Sequence, residues 1–90
     1  MSVKINIHPT LTHLTGGQQK VEVRGNTVGQ CLDDLISRFP AIESWLFAKK
    51  DKLQKTVEIY VNAKSSYPEE LAMPVKDGDE LQVVMIIIGG

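Results

Sequence analysis

The chain of 90 residues is predicted to fold as an α+β domain, a mixed sheet of four to five strands with one main helix packed across it. Three observations predict this. Three short segments alternate apolar and polar residues, the period of a strand buried on one face. One segment, between the second and third of them, instead repeats its apolar residues every three to four positions, the period of an amphipathic helix. A further segment, the last in the chain, is apolar on both faces, as a strand in the middle of a sheet is.

In chain order, Val3, Ile5 and Ile7 alternate with Lys4, Asn6 and His8 until Pro9 ends the first strand. After a loop containing Gly16-Gly17, Val21 and Val23 alternate with Lys20, Glu22 and Arg24. These two strands are expected to pair as a hairpin with a long, flexible connection. Thr27 then opens a helix: its hydroxyl can cap the first free N–H groups, and Gln30 completes a capping-box spacing. Val28, Cys31, Leu32, Leu35, Ile36 and Phe39 share one face of that helix, and Asp34 and Arg38 stand one turn apart on the other. Pro40 disfavours helical geometry at Phe39 and stops it. A second helical piece over 42–46 is expected to tuck Ile42, Trp45 and Leu46 under the same core.

The third strand carries Val57, Ile59 and Val61 against Glu58, Tyr60 and Asn62. Residues 63–76 read as irregular, with Pro68 and Pro74 barred from a central strand. Asp77-Gly78-Asp79 is a tight turn into the last strand, 81–86, with Leu81, Val83 and Met85 facing the core and Val84 and Ile86 facing the other way. A hairpin, one helix laid across it and a late apolar strand in the sheet centre form a β-grasp arrangement. Its last strand lies parallel to the first, with the helix as a right-handed crossover. The expectation is one domain over 1–90, with 86–90 as a projecting tail.

Composition narrows the partners. Acidic and basic residues nearly cancel, 11 against 10, for a net charge of −1, so no polyanion-binding surface is indicated. The basic cluster Lys49-Lys50-Asp51-Lys52, with Lys55, has no interleaved aromatic residue and reads as a solvated turn. The single cysteine fits a reducing compartment. The N-terminal residues lack a signal-peptide pattern, and the apolar run 83–88 is too short to span a bilayer. These features predict a cytoplasmic protein that binds neither nucleic acid nor membrane.

Little of the chain carries chemistry. His8 and His13 have no carboxylate or thiol near them in sequence, so no metal site is expected. Cys31 lies on the apolar helix face and reads as core packing, although a thiol in a first helical turn can be activated. The neighbouring acidic pairs Asp33-Asp34 and Glu69-Glu70 point in different directions and read as solvated surface. Asp77-Gly78-Asp79-Glu80 starts like a calcium loop but lacks the later ligands. Gly16-Gly17 is followed by neither a lysine nor a helix, so it is no phosphate cradle. With no nucleophile, base and oxyanion donors in combination, the domain itself is read as not an enzyme.

What remains is the end of the chain. Gly89-Gly90 follows the run Val83-Val84-Met85-Ile86-Ile87-Ile88. A terminal glycine offers an α-carboxylate with no side chain beside it, and a preceding glycine lets the backbone thread a narrow cleft. Three consecutive exposed isoleucines are an aggregation hazard, more tolerable where a partner covers them. Met85, Ile86, Ile87 and Ile88 are therefore the expected partner-binding residues, and Gly89 and Gly90 the reactive end.

Thr27-Val28-Gly29 opening the helix, Val57-Glu58-Ile59-Tyr60-Val61-Asn62, Asp77-Gly78-Asp79-Glu80-Leu81 and the terminal Gly89-Gly90 together resemble the ubiquitin-like sulfur carriers. This is the family of the molybdopterin synthase small subunit and the thiamine carrier (MoaD/ThiS). The similarity spans essentially the whole chain. Pro9-Thr10-Leu11 followed by Thr15-Gly16-Gly17-Gln18 looks most like the carrier used in cysteine biosynthesis. The resemblance implies that Gly90 is adenylated by a ubiquitin-activating-like adenylyltransferase using MgATP and converted to a thiocarboxylate. The carrier binds no cofactor itself, and a cysteine synthase-like enzyme or a molybdopterin synthase large subunit takes the sulfur. Thiamine-type carriers are usually shorter and come third. The same activation would serve a protein modifier joined to lysines through Gly90, and an interaction module with an incidental diglycine is a further alternative. One departure stands out: the family commonly has proline and small residues before the diglycine, where this chain has Met85-Ile86-Ile87-Ile88. The bulkier tail implies a wider or more apolar tunnel in the cognate enzymes.

Overall fold

The structure, a computed structural model, describes residues 2–85. A five-stranded mixed sheet is built from β1 (Val3–Asn6), β2 (Lys20–Val23), β5 (Val57–Val61), β6 (Lys64–Ser65) and β7 (Glu80–Met85), in the spatial order β2-β1-β7-β5-β6. β1 and β2 pair antiparallel, with Val3 opposite Val23 and Ile5 opposite Val21. β7 runs parallel to β1, Ile5 opposite Leu81, and antiparallel to β5, Ile59 opposite Val83. The strand that is apolar on both faces is thus the central one, and the β-grasp arrangement holds.

Paired residues share a face, so the register sorts the sheet into two surfaces. On the covered face lie Val3, Ile5, Val21, Val23, Val57, Ile59, Leu81 and Val83, all buried. They pack against Val28, Cys31, Leu32 and Leu35 of α1 (Val28–Arg38). Thr27 caps α1 as expected, its Oγ1 accepting from the Gln30 N–H at 3.2 Å. Gln30 reaches back one residue further than a capping box requires, its Oε1 accepting from the Asn26 N–H at 2.8 Å. Phe39 is the C-cap and Pro40 starts a 3-10 turn, so the helix stops where the proline predicts.

Four expectations need correction. The hairpin loop is not flexible but contains a 3-10 helix, Pro9–Thr15, capped by His8. Leu11 plugs into the core, and the buried Thr15 hydroxyl lies 3.1 Å and 2.8 Å from the Thr12 and Gln18 carbonyls. Gly16 then turns the chain in the left-handed region at φ +63°. Trp45 does not tuck under the core: within α2 (Glu43–Leu46) only Leu46 is buried, and Trp45 is 48% exposed. The helix is a single turn, so Ile42 and Leu46 take its inner side and Trp45 falls outside. Asp34 is more than solvated surface. Its Oδ2 accepts from the Arg24 N–H at 2.9 Å and from Arg38 at 2.8 Å, joining the end of β2 to α1. Those donors, the Arg24 N–H first, hold its carboxyl below the usual range.

Finally, two small hairpins add strands the alternation did not mark. β3 (Phe47–Lys49) pairs with β4 (Lys52–Leu53) around the Lys50-Asp51 turn, which is solvated as the basic cluster suggested. β5 turns into β6 through Asn62 and Ala63, both at positive φ. No helix among the described residues is long and apolar enough to cross a membrane.

Cys31 is fully buried, and its thiol is pushed up to about 11, first by burial and then by the Asp34 and Asp79 carboxylates. It is a core residue, since the activating effect of a first helical turn is outweighed by desolvation. At pH 8 the native protein should react with a thiol reagent at least about 100-fold more slowly than free cysteine, with full reactivity on unfolding; a native rate within tenfold of free cysteine would contradict this placement. The contrast across α2 is equally measurable. Leu46→Ala should cost about 2–5 kcal/mol in denaturant unfolding, whereas Trp45→Ala should cost about 1 kcal/mol or less.

Candidate functional site

The site predicted from sequence lies at the C-terminal end of β7. Met85 is the last described residue. It is half-buried, stands opposite Val57 and packs against the core. Ile86, Ile87, Ile88, Gly89 and Gly90 lie outside the described residues. What the fold shows is how the chain is delivered to them. β7 is gripped on both sides, by Lys4, Ile5 and Asn6 of β1 opposite Glu80, Leu81 and Gln82, and by all five residues of β5 opposite Leu81 to Met85. The strand is therefore a fixed rail from Glu80 to Met85, and any segment beyond starts from a defined point.

The open face of the sheet around this rail is polar. It presents Lys20, Glu22, Lys4, Asn6, Glu80, Gln82, Tyr60 and Glu58, with Val84 half-buried beside Glu58. Asn6 Nδ2 donates to Glu80 Oε1 at 2.6 Å, and Lys20 Nζ lies 3.8 Å from the same oxygen. The Asn6 amide, with Lys20 behind it, holds the Glu80 carboxyl below its ordinary value. Ser65 Oγ donates to Glu58. Towards the tail this polar surface gives way to the half-buried Val84.

At the other end of β7 the strand is tied down. Asp79 is buried, and its carboxylate accepts from Asn62 Nδ2 and from the Lys76 N–H, each at 2.9 Å. The Asn62 amide first, and then the Lys76 N–H, hold this carboxyl below the ordinary 3.8. Gly78 turns at φ +88°, a conformation for which glycine carries no penalty. Asn62 was visible in the sequence only as the end of a strand motif. Its partner in the Asp-Gly-Asp turn, 17 positions away, becomes apparent only when β5 and β7 are brought side by side.

The remaining candidates are not brought together with this end. His8 Nδ1 pairs with Thr10 Oγ1 at 2.8 Å and caps the 3-10 helix, while His13 is exposed. Among the described residues no group of three or more His, Cys, Asp or Glu side chains is placed to hold a metal ion.

Comparison with known proteins places this architecture. The chain is 32% identical over 93 residues to the sulfur carrier protein CysO of Mycobacterium tuberculosis, and the alignment covers 100% of both. Among solved structures it is similar to a chain of the Amycolatopsis orientalis BexX/CysO complex, with 36% identity, a TM-score of 0.87 and coverage of 98% of this chain and 99% of that one. It is also similar to SAMP1, small archaeal modifier protein 1, of Haloferax volcanii, with 27% identity, a TM-score of 0.84 and full coverage of both chains. Residues 6–90 match the ThiS family. With that match running from β1 through Gly90, on a β-grasp sheet whose central strand leads into the diglycine, the chain belongs to the ThiS family, the MoaD/ThiS-like group its sequence resembles.

Proposed function

We propose that this protein is a cytoplasmic sulfur carrier whose Gly90 carboxylate is the working group. The observation that carries the reading is the end-to-end similarity to the sulfur carrier CysO, 32% identity with both chains covered completely. It is supported by the family match reaching Gly90 and by the rail-like placement of β7.

A carboxylate is a poor acyl donor because its leaving group would be oxide. Attack of a Gly90 carboxylate oxygen on the α-phosphorus of ATP expels pyrophosphate and yields an acyl adenylate. A hydrosulfide-level nucleophile then adds at the carbonyl and AMP leaves, giving the thiocarboxylate. Transfer of that sulfur to an acceptor and hydrolysis restores the carboxylate. ATP and Mg²⁺ belong to a ubiquitin-activating-like adenylyltransferase, and no step needs a base or metal from the carrier. The carrier is a protein co-substrate: it supplies the acyl group, the diglycine that threads the cleft, and Met85, Ile86, Ile87 and Ile88 as the apolar segment held by the partner. The acceptor is a cysteine synthase-like enzyme or a molybdopterin synthase large subunit, with a thiamine pathway third. The BexX/CysO complex supports a partner-bound mode for a carrier of this shape.

A second reading has its own support. The similarity to small archaeal modifier protein 1 favours conjugation of Gly90 to lysines after the same activation. Intact mass of the protein purified from its own host separates the two. A carrier gains the difference between sulfur and oxygen, and a modifier appears attached to a larger protein. Deleting Gly90, or extending the chain by one bulky residue, should abolish both products while leaving the melting temperature within about 2 °C, since the described core is built from residues between Val3 and Met85. Unaltered activity in either variant would refute the assignment of Gly90. Replacing Ile87 and Ile88 with alanine should weaken partner binding by about tenfold or more, since each change removes buried apolar surface.

A further inference from the structure

The apolar residues of β7 do not fix its register. Core-facing positions are occupied by Leu81, Val83 and Met85. A slip of one residue would bring Gln82 into the Leu81 position and is excluded by burial of its amide. A slip of two in the extending direction would place Asp79 there and is excluded more strongly. A slip of two in the retracting direction is different. It would put Val83, Met85 and Ile87 where Leu81, Val83 and Met85 now sit, apolar for apolar, with side chains still on their proper faces. The connection before β7 would only gain two residues of slack, a small entropic change.

What opposes that slip is at the start of the strand, where Asn6 and Lys20 hold the Glu80 carboxylate on the open face and Asn62 engages both Asp79 and Glu80. Asn62 stands at φ +49°, so its own carbonyl has turned away from the β5–β7 ladder. The Asn62 N–H still donates to the Glu80 carbonyl at 2.8 Å, and the Glu80 N–H donates back to the side-chain Oδ1 of Asn62 at 3.0 Å. The side chain thus replaces the missing backbone acceptor and completes the last rung. Its Nδ2 spends its donor on Asp79 Oδ1 at 2.9 Å, and Asp79 Oδ2 holds the Lys76 N–H. One amide therefore reads two consecutive residues, Asp79 and Glu80, and only one register satisfies both bonds.

We infer that Asn62, acting through Asp79 and Glu80, is a positioning residue for the terminal carboxylate: a register clamp that sets how far residues 86–90 project. The inference rests on the reading that Gly90 reacts inside a partner. A two-residue retraction would withdraw the chain end by roughly 7 Å, far beyond the tolerance of a reacting group.

The test uses full-length Asn62→Gly, which keeps the left-handed turn without strain and removes both side-chain bonds. By NMR the native chain should give one cross-strand register, Val57 against Met85. N62G should remain folded and show a second set of signals, with Val57 against Ile87, on the order of a tenth of the population or more. A second arm measures ATP–pyrophosphate exchange with the adenylyltransferase of the same organism, using tails with two isoleucines inserted after Ile87. The insertion should lower activation about tenfold in the native background but only about fivefold in N62G, where a tenth of the chains already hold the retracted register, a difference that a merely destabilising substitution would not produce. A single native register in N62G, or the same loss on insertion in both backgrounds, overturns the clamp. If the native chain supports no exchange at all, the assignment of Gly90 fails, and the NMR arm decides the clamp alone.

Discussion

The fold depends on one strand being held from both sides. β7 brings Leu81 and Val83 into a core where they are 0% and 2% exposed, and its backbone completes hydrogen-bond ladders with β1 and β5 at once. Remove it and the sheet separates into two hairpins, neither of which is stable alone in water. The strand that closes the sheet is also the one that runs into the terminal segment. Stability and delivery are therefore coupled: the chain end cannot loosen at its base without loosening the core.

On the proposed function an activated acyl group would be open to attack by neighbouring nucleophiles, and several groups of the described body are engaged in packing or hydrogen bonds. The one thiol is buried, and burial with two carboxylates nearby keeps it protonated. His8 is engaged in capping. On the open face Glu80 is occupied by Asn6 and Lys20.

Much of the architecture was legible because its signals are periodic and local. Alternation at Val3, Ile5 and Ile7 and at Val57, Ile59 and Val61, the three-four spacing from Val28 to Leu35, and Thr27 and Pro40 as boundaries each follow from a single stretch of chain. What escaped was non-local or too short to show a period. Trp45 sits on a one-turn helix, where three apolar residues in five positions cannot reveal which two face inward. The β5–β6 hairpin turns at Asn62-Ala63, and without a glycine in the second position it lacks the usual sequence mark of such a turn. Leu11 reads as a loop residue until the 3-10 helix around it is seen to carry it into the core. The anchoring of the strand that precedes the terminal segment was not legible. Nothing in the sequence says that Asn62 and Asp79 touch.

The separation of anchor and tail has a physical reason. A segment that must enter an apolar partner is best made of residues such as Met85, Ile86, Ile87 and Ile88, but a run of similar apolar residues carries no information about register. The information has to be placed where the sequence is free to be polar and particular, and the only such place along the same strand is its beginning. There the chain has Asp77-Gly78-Asp79-Glu80, a turn whose carboxylate and backbone engage a single asparagine on the neighbouring strand. The strand between acts as a spacer of fixed length, since a hydrogen-bonded β-strand neither stretches nor compresses by more than a small fraction of its rise per residue. On the proposed function, register at one end and partner contact at the other would be divided along the six residues of β7.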